Sequence, residues 1–441
     1  MNFSPVAGRW LVALAASVCT LVSAADNRAN ATINAAINAS IYNQGFSVPR
    51  LNGLIAELNK DVAAGRLPGA VLLVARNGNL VHAAAIGAQD PKSAAPMRRD
   101  SLFRIYSLTK PIVSVAAMMM VEEGKFLLGD PVSRYLPELA NLKVGVERTD
   151  ARGGLVLDVV PARREMTIHD LLRHTAGLTY GFEGKSLVKD EYKRNRIDGA
   201  ELGNAEWLAR LAKLPLQSQP GSKWEYSIAA DVLGVLLERV SGQSLDALLA
   251  ERIFRPLGMK DTGFWVEPAR QDRIAEPFEI DPVWKTRSNL SDIRKPPARF
   301  SGGGGAVSTA DDYLRFAQML LNGGELDGVR ILSPKTVEYM LADHLSGVRA
   351  TLPPSSPAPG PRPGYGYGLG FAVRTEMGEA NTPGSPGIAD WNGLGGTNFW
   401  IDPRERLAVI WMAQAPGLRP YYRQLIPGMV YGAMMMKAGA P

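Results

Sequence analysis

The chain has 441 residues, 46% of them hydrophobic and 21% charged, and a formal net charge of only +6. That length suits one large or two interlocked globular domains. Its Lys and Arg residues are scattered, with no run of five or six, which argues against nucleic-acid binding.

The N-terminus predicts an export signal over residues 1–24. "MNFSPVAGRW" carries one Arg and no acid, "LVALAASVCTLV" is an apolar core, and "VSAA" offers small residues for cleavage near Ala24. The apolar core is shorter than the about 20 residues a membrane span needs, so no membrane anchor is expected after cleavage. Cys19, the single cysteine, lies inside this signal, and Val18 before it is not the small residue that lipidation needs. The mature chain would then hold no cysteine, which excludes disulfides, thiolate catalysis and cysteine-ligated metal. A periplasmic or secreted location is expected. Residues 25–48, rich in Ala, Asn and Ile, read as a loose leader or a frayed helix.

"RLNGLIAELNKDVAAG" has apolar residues at helical spacing and stops at a glycine. "PGAVLLVARNGNLVHAAAIG" is two β-rich runs around Asn-Gly, a hairpin signal. From about 112 to 299 the pattern is mainly helical. "MTIHDLLRHTAGL" has Thr167 as N-cap and Gly177 as stop, and "STADDYLRFAQMLLNGG" starts at Ser308 or Thr309. Strands return in "YGYGLGFAVRT", "GTNFWIDP" and "LAVIWMAQ", and a helix over about 418–437 closes the chain. "LPPSSPAPGPRPG" and "NTPGSPG" read as surface loops. The expected fold class is therefore α/β. Residues 49–111 and 300–441 build one α/β domain, and 112–299 are a mainly helical insertion.

The chemistry centres on "LFRIYSLTKP", which sets Ser107 three residues before Lys110. A serine hydroxyl needs a base within hydrogen-bond reach, and an amine is a base only when neutral. Spacing i, i+3 on a helix puts both side chains on one face. A helix starting near Ser107 would aim the serine amide at a developing oxyanion, and Pro111 is tolerated so early in a helix. The following "IVSVAAMMM" predicts a helix buried on most sides, and burial disfavours a charged amine.

A second Ser-x-x-Lys, Ser186 to Lys189 in "GKSLVKDEYKRNR", is crowded with charge and reads as a solvated surface segment. Tyr226, in "SKWEYSIAADVLG" before an apolar helix, is placed to relay a proton, or simply packs at a core edge. In "DWNGLGGTNFW", Gly393, Gly395 and Gly396 allow close backbone approach to a ligand, or make a plain hairpin turn.

"YSLTK", "YSI" and "WNG", in this order and spacing, resemble the serine β-lactamase and penicillin-binding-protein superfamily, of which Ser-x-x-Lys is a signature. The likeness is to its class C-like branch and within it to the family VIII carboxylesterases. "DPVSRYLPEL", "MTIHDLLRHTAGLTYGF", "FSGGGGAVSTADDYLRFAQMLLNGG" and "GLGGTNFWIDP" support it, from about residue 51 onward. The resemblance implies an antiparallel sheet flanked by helices, a helical domain, and a site in the cleft between them. It implies that Ser107 is acylated, that Lys110 activates it, and that Tyr226 shares the proton transfer. The amides of Ser107 and Leu394 would form the oxyanion hole, and Trp391, Asn392 and Gly393 would border the substrate pocket. No cofactor is implied.

Two departures from that pattern bear on substrate. Ile228 stands where class C β-lactamases carry Asn, and Trp391-Asn392-Gly393 stands where they carry Lys-Thr-Gly; the esterases usually have Gly at the Asn392 position. Loss of the lysine removes a charged contact of roughly 1.5–3 kcal/mol. Neutral acyl esters are therefore expected over β-lactams. The alternatives are β-lactam or D-peptide hydrolysis on the same scaffold, and a non-catalytic penicillin-binding-like protein. A Ser-His-Asp hydrolase lacks its Gly-x-Ser-x-Gly elbow here. Of His82, His169, His174 and His344, the pair in "HDLLRH" is spaced i, i+5, wrong for metal ligands on one helix face, so no metal site is expected.

Overall fold

A computed structural model describes residues 44–199, 201–350 and 360–435. The expected signal peptide, and the leader as far as residue 43, lie outside the described residues.

The frame is one antiparallel sheet built from both ends of the described chain. After helix α1 (Val48–Ala63) come β1 (Gly69–Arg76), β2 (Asn79–Asp90) and the short β3 (Ala95–Pro96). β1 and β2 turn at Asn77 and Gly78, both at positive φ, the geometry for which Asn-Gly is suited. Helix α2 (Thr109–Glu122) then leaves the sheet. Far along the chain the remaining strands follow: β6 (Tyr365–Tyr367), β7 (Ala372–Arg374), β8 (Ala389–Asn392), β9 (Asn398–Asp402) and β10 (Leu407–Ala413). The order is β6-β7-β8-β9-β10-β1-β2-β3. Pairing of β10 with β1, from Ala70 opposite Ala413 to Arg76 opposite Leu407, joins the two halves.

Every residue of β1 is buried, as befits a central strand covered on both faces. Its alternation sorts the core. Val71 and Leu73 face the larger cluster, with Ile112 and Phe316. Ala70, Leu72 and Val74 face a second cluster, with Leu54, Leu58 and Tyr422, from α1 and the final helix α10 (Arg419–Ala433). Phe46 is fully buried in that second cluster and bridges to Met434, so the end of the expected leader is packed, not loose.

Between α2 and the later strands lie α3 (Ile168–Leu172), α4 (Leu187–Arg194), α5 (Asn204–Leu211), α6 (Ala229–Ser241), α7 (Leu245–Leu249), α8 (Ala310–Leu321) and α9 (Pro334–Met340). Thr167 caps α3 with a capping box, and Thr309, not Ser308, caps α8. Three sequence expectations need correction. α3 ends at Leu172, and Gly177 makes its left-handed turn five residues later. The expected helical stretch contains a hairpin, β4 (Lys143–Thr149) with β5 (Leu155–Pro161), whose Val146, Leu155, Val159 and Val160 are exposed and so give no buried-face alternation. Residues 274–306 hold no helix or strand; buried polar anchors fix them, Arg299 to Asp231 at 2.8 Å and Arg104 to Glu276 at 3.1 Å.

Candidate active site

Ser107 sits where strand turns into helix. Phe103 and Arg104 pair with Val307 and Ser308, a short 3-10 turn covers Tyr106–Leu108, and α2 begins at Thr109. Tyr106, just before the serine, has φ +46°, a left-handed conformation that a bulky residue adopts at a cost. Surrounding bonds hold it there: Thr109 Oγ1 donates to Tyr106 O at 2.6 Å, and Tyr106 Oη accepts from Ser291 N at 2.9 Å. Twelve of the fourteen residues of α2 are buried, as its apolar run predicts.

Lys110 is 1% exposed. Its Nζ lies 3.1 Å from Ser107 Oγ, 3.1 Å from Tyr180 Oη and 2.6 Å from Gly303 O. The Gly303 carbonyl can only accept, so one N–H of the amine is committed to it in either protonation state. Tyr226 arrives on the loop before α6 and donates its Oη to Ser107 Oγ at 2.6 Å. Ser107, Lys110 and Tyr226 are thus brought into one hydrogen-bonded line.

Tyr180 and Gly303 are the members that sequence reasoning missed. Burial holds the Tyr180 phenol well above its usual pKa, so it stays protonated beside the amine. Gly303 must be glycine: a Cβ there would run into Asp231 Oδ2. Asp231 is fixed by Arg299 at 2.8 Å and by Ser301 Oγ at 2.6 Å. The quoted "TYGF" and "SGGGG" stretches contained both residues, without a spacing rule to connect them to Lys110.

The turn after β8 closes the other side. A Cβ on Gly393 would overlap Ile105 O and Thr397 Oγ1, so glycine lets this turn press against the backbone two residues before Ser107. Thr397 Oγ1 also donates to Ile105 O at 3.2 Å. Gly393 N bonds Thr397 O and Gly396 N bonds Gly393 O, while Leu394 N–H has no acceptor among the described residues. That amide belongs to the residue after Gly393, and Gly393 itself sits against Ile105 O, two residues before Ser107.

Trp391 and Asn392 differ from expectation. Trp391 is fully buried, with its ring 5.6 Å from Tyr226 and 5.3 Å from Tyr367, so it braces the tyrosine and offers no open apolar surface. Asn392, the next residue along β8, points to the other face of the sheet by strand alternation and is also buried. Ile228, which stands at the N-cap of α6, is buried. Apolar surface at the mouth comes instead from Leu394, 40% exposed, and Phe182, 59% exposed and stacked on Tyr180.

His174 packs beside Tyr226, Trp224 and Tyr367, with Nδ1 3.1 Å from Ser227 Oγ; burial keeps it neutral. It makes no hydrogen bond to Ser107 or Tyr226. Burial, with Arg173 and His344 nearby, lowers His169 to a pKa of about 4, and its Nε2 meets His344 Nδ1 at 3.1 Å. The second Ser-x-x-Lys is not a solvated segment: Ser186 caps α4 and Lys189 is buried, 2.7 Å from Glu225. Its lysine is held by a carboxylate and has no serine hydroxyl in reach, since Ser186 Oγ is bound to Gln217. Among the described residues no group of His, Cys, Asp or Glu could hold a metal ion.

Comparison with known proteins identifies the family and the fold. The Beta-lactamase family model matches residues 51–429. Protein Rv1367c of Mycobacterium tuberculosis is 39% identical over 82% of this chain and 90% of its own length. Esterase EstB of Burkholderia gladioli is 35% identical over 81% of this chain and 88% of its own. Among solved structures, EstCE1, described as a hydrolase with promiscuous acyltransferase activity, superposes with a TM-score of 0.72 at 30% identity, covering 87% of this chain and 99% of EstCE1.

Proposed function

The chain belongs to the beta-lactamase family and is a serine hydrolase of its esterase branch, and from that premise we propose a carboxylesterase that cleaves short-to-medium acyl esters through an acyl-enzyme on Ser107. The observation that carries this reading is the line Tyr226 Oη to Ser107 Oγ, 2.6 Å, and Ser107 Oγ to Lys110 Nζ, 3.1 Å.

Because Tyr226 donates to Ser107 Oγ, the serine's own proton is left to point at Lys110. Lys110, acting as the base, takes that proton as Oγ attacks the ester carbonyl. Negative charge on the carbonyl oxygen is met by the amides of Ser107 and Leu394. As the tetrahedral species collapses, the C–O bond to the alcohol breaks. A proton reaches the leaving oxygen from Tyr226, and the phenolate so formed is reprotonated by the lysine ammonium, whose Nζ lies 4.7 Å from the centre of the tyrosine ring. Water then repeats the sequence, its proton going to the same amine, and releases the acid and Ser107. Tyr180 and Gly303 O hold the amine on line through both halves.

Esters are favoured over β-lactams because Trp391 supplies no cation at the third motif, and it is buried against Tyr226. A chromogenic butyrate ester assayed beside a chromogenic cephalosporin tests this: faster turnover of the ester is expected, and faster turnover of the cephalosporin overturns it. Export to the periplasm or medium belongs to the same proposal and rests on residues 1–24 alone. Sequencing the mature N-terminus checks it, with a start near residue 25 expected and a retained Met1 against it.

A further inference from the structure

The second Ser-x-x-Lys has a use, although not the one its motif suggests. Ser186 caps α4 by accepting from Lys189 N at 3.0 Å, so Lys189 stands in the first turn of that helix. The helix macrodipole disfavours a cation there, and the lysine side chain is only 11% exposed. Its Nζ reaches two acceptors, Glu225 Oε1 at 2.7 Å and the carbonyl of Glu183.

Both acceptors belong to segments that carry the catalytic line. Glu225 directly precedes Tyr226, which donates to Ser107 Oγ at 2.6 Å. Residues 179–183 carry Tyr180, whose Oη lies 3.1 Å from Lys110 Nζ, and Phe182, whose ring stacks on Tyr180 at 4.7 Å. Thr179 Oγ1 donates to the same Glu225 oxygen at 2.9 Å. One ion pair thus fastens both tyrosine-bearing segments, and the rings of Tyr180 and Tyr226 meet edge-on at 5.2 Å. A buried ion pair is a weak source of stability, because desolvation of both charges offsets their attraction. It is a strong source of geometry, because its charge-assisted hydrogen bonds are short and their partners fixed.

We propose, resting on the esterase reading above, that Lys189 and Glu225 are positioning residues: their ion pair holds Tyr226 against Ser107 and Tyr180 against Lys110. The spacing that sets a base beside Ser107 serves at 186–189 to cap a helix and place a cross-link. The pair acts on turnover through the two tyrosines.

Removing the lysine alone strands the Glu225 carboxylate. The test therefore uses Lys189→Met/Glu225→Gln, which removes both charges and leaves Thr179 an acceptor. This variant should melt close to the wild type, yet its kcat on a butyrate ester should fall about 10²-fold with KM little changed, the cost of a misplaced catalytic group. Thr179→Val should lose about 10-fold in kcat, in line with one hydrogen bond to a charged group. Lys189→Arg, which keeps a cation, should retain more of the rate than Lys189→Met. In a Tyr226→Phe background the loss from Lys189→Met/Glu225→Gln should shrink, because a hydroxyl that is absent cannot be misplaced. Wild-type kcat in the folded double variant, or an equal loss in both backgrounds, overturns the positioning role and leaves the esterase reading intact. Should the double variant fail to fold, wild-type kcat in Thr179→Val overturns it instead. If folded wild-type protein does not cleave the butyrate ester, the esterase reading itself fails.

Discussion

Tyr226 Oη and Ser107 Oγ, 119 residues apart in the chain, meet at 2.6 Å. The contact fixes the direction of the serine proton, because an oxygen that accepts from the phenol must donate elsewhere. Tyr226→Phe should therefore lower kcat by about 10²–10⁴-fold, the range for a lost proton-transfer group. Steady-state kinetics on a butyrate ester checks it, and a near-normal rate would take the tyrosine out of the mechanism.

Tyr180 touches Lys110, not the serine. Removing its hydroxyl leaves Nζ held by Gly303 and Ser107. Tyr180→Phe should cost about 10–100-fold in kcat, in line with one hydrogen bond to a charged group, with KM little changed. Lys110→Arg should be nearly inactive, since a guanidinium cannot serve as a base near neutral pH. An active Lys110→Arg enzyme would mean that another group takes the serine proton.

Gly393 lets the oxyanion turn reach Ile105. Gly393→Ala forces the turn away from the serine backbone, because the added Cβ meets a carbonyl oxygen that cannot swing aside. A loss of about 10²-fold in kcat is expected, comparable to removing one oxyanion donor. Covalent labelling of Ser107 by a fluorophosphonate should slow in parallel. Unchanged labelling and turnover would place the oxyanion hole elsewhere.

Acid stability should hinge on Asp170, whose side chain is fully buried. Burial alone would raise its pKa, but Arg164, the Thr167 amide and the Thr175 hydroxyl overcome this and lower it to about 2. The folded state thus binds the proton less readily than the unfolded chain. The stabilisation is complete above a pH of about 4 and lost as pH falls through about 2, worth about 2 kcal/mol. Below pH 6.5 the histidines lowered by burial, His169 to about 4 with His82, His174 and His344, lose stability on acidification, and Asp198, raised by burial to about 6, regains some. Urea unfolding of the wild type should weaken from about pH 6.5 downward as the buried histidines resist protonation, with the share of Asp170 added only below about pH 4. Asp170→Asn should be less stable at neutral pH and lose that share; an unchanged limb below about pH 4 contradicts the assignment.

The parts of the site legible in the sequence are those set by local spacing. Ser107 and Lys110 share a turn, and the buried run behind them announces the helix that holds them. Tyr180 and Gly303 reach Lys110 only through tertiary packing, 70 and 193 residues away, with no periodicity to mark them. Trp391 was legible as a residue but not as a brace, because burial on a strand is decided by what stacks above it. Lys189 misled for a related reason: Glu225, remote in sequence, neutralises a charge that local crowding made look solvated. The β4–β5 hairpin escaped because Val146, Leu155, Val159 and Val160 face solvent.

The central claim is that the acyl group rests on Ser107. Rapid quenching of turnover on a butyrate ester, digestion and peptide mass spectrometry read it directly. A butyryl mass on the peptide bearing residue 107, absent in Ser107→Ala, is the predicted result; the same mass on any other side chain, or hydrolysis by Ser107→Ala at the wild-type rate, contradicts the account.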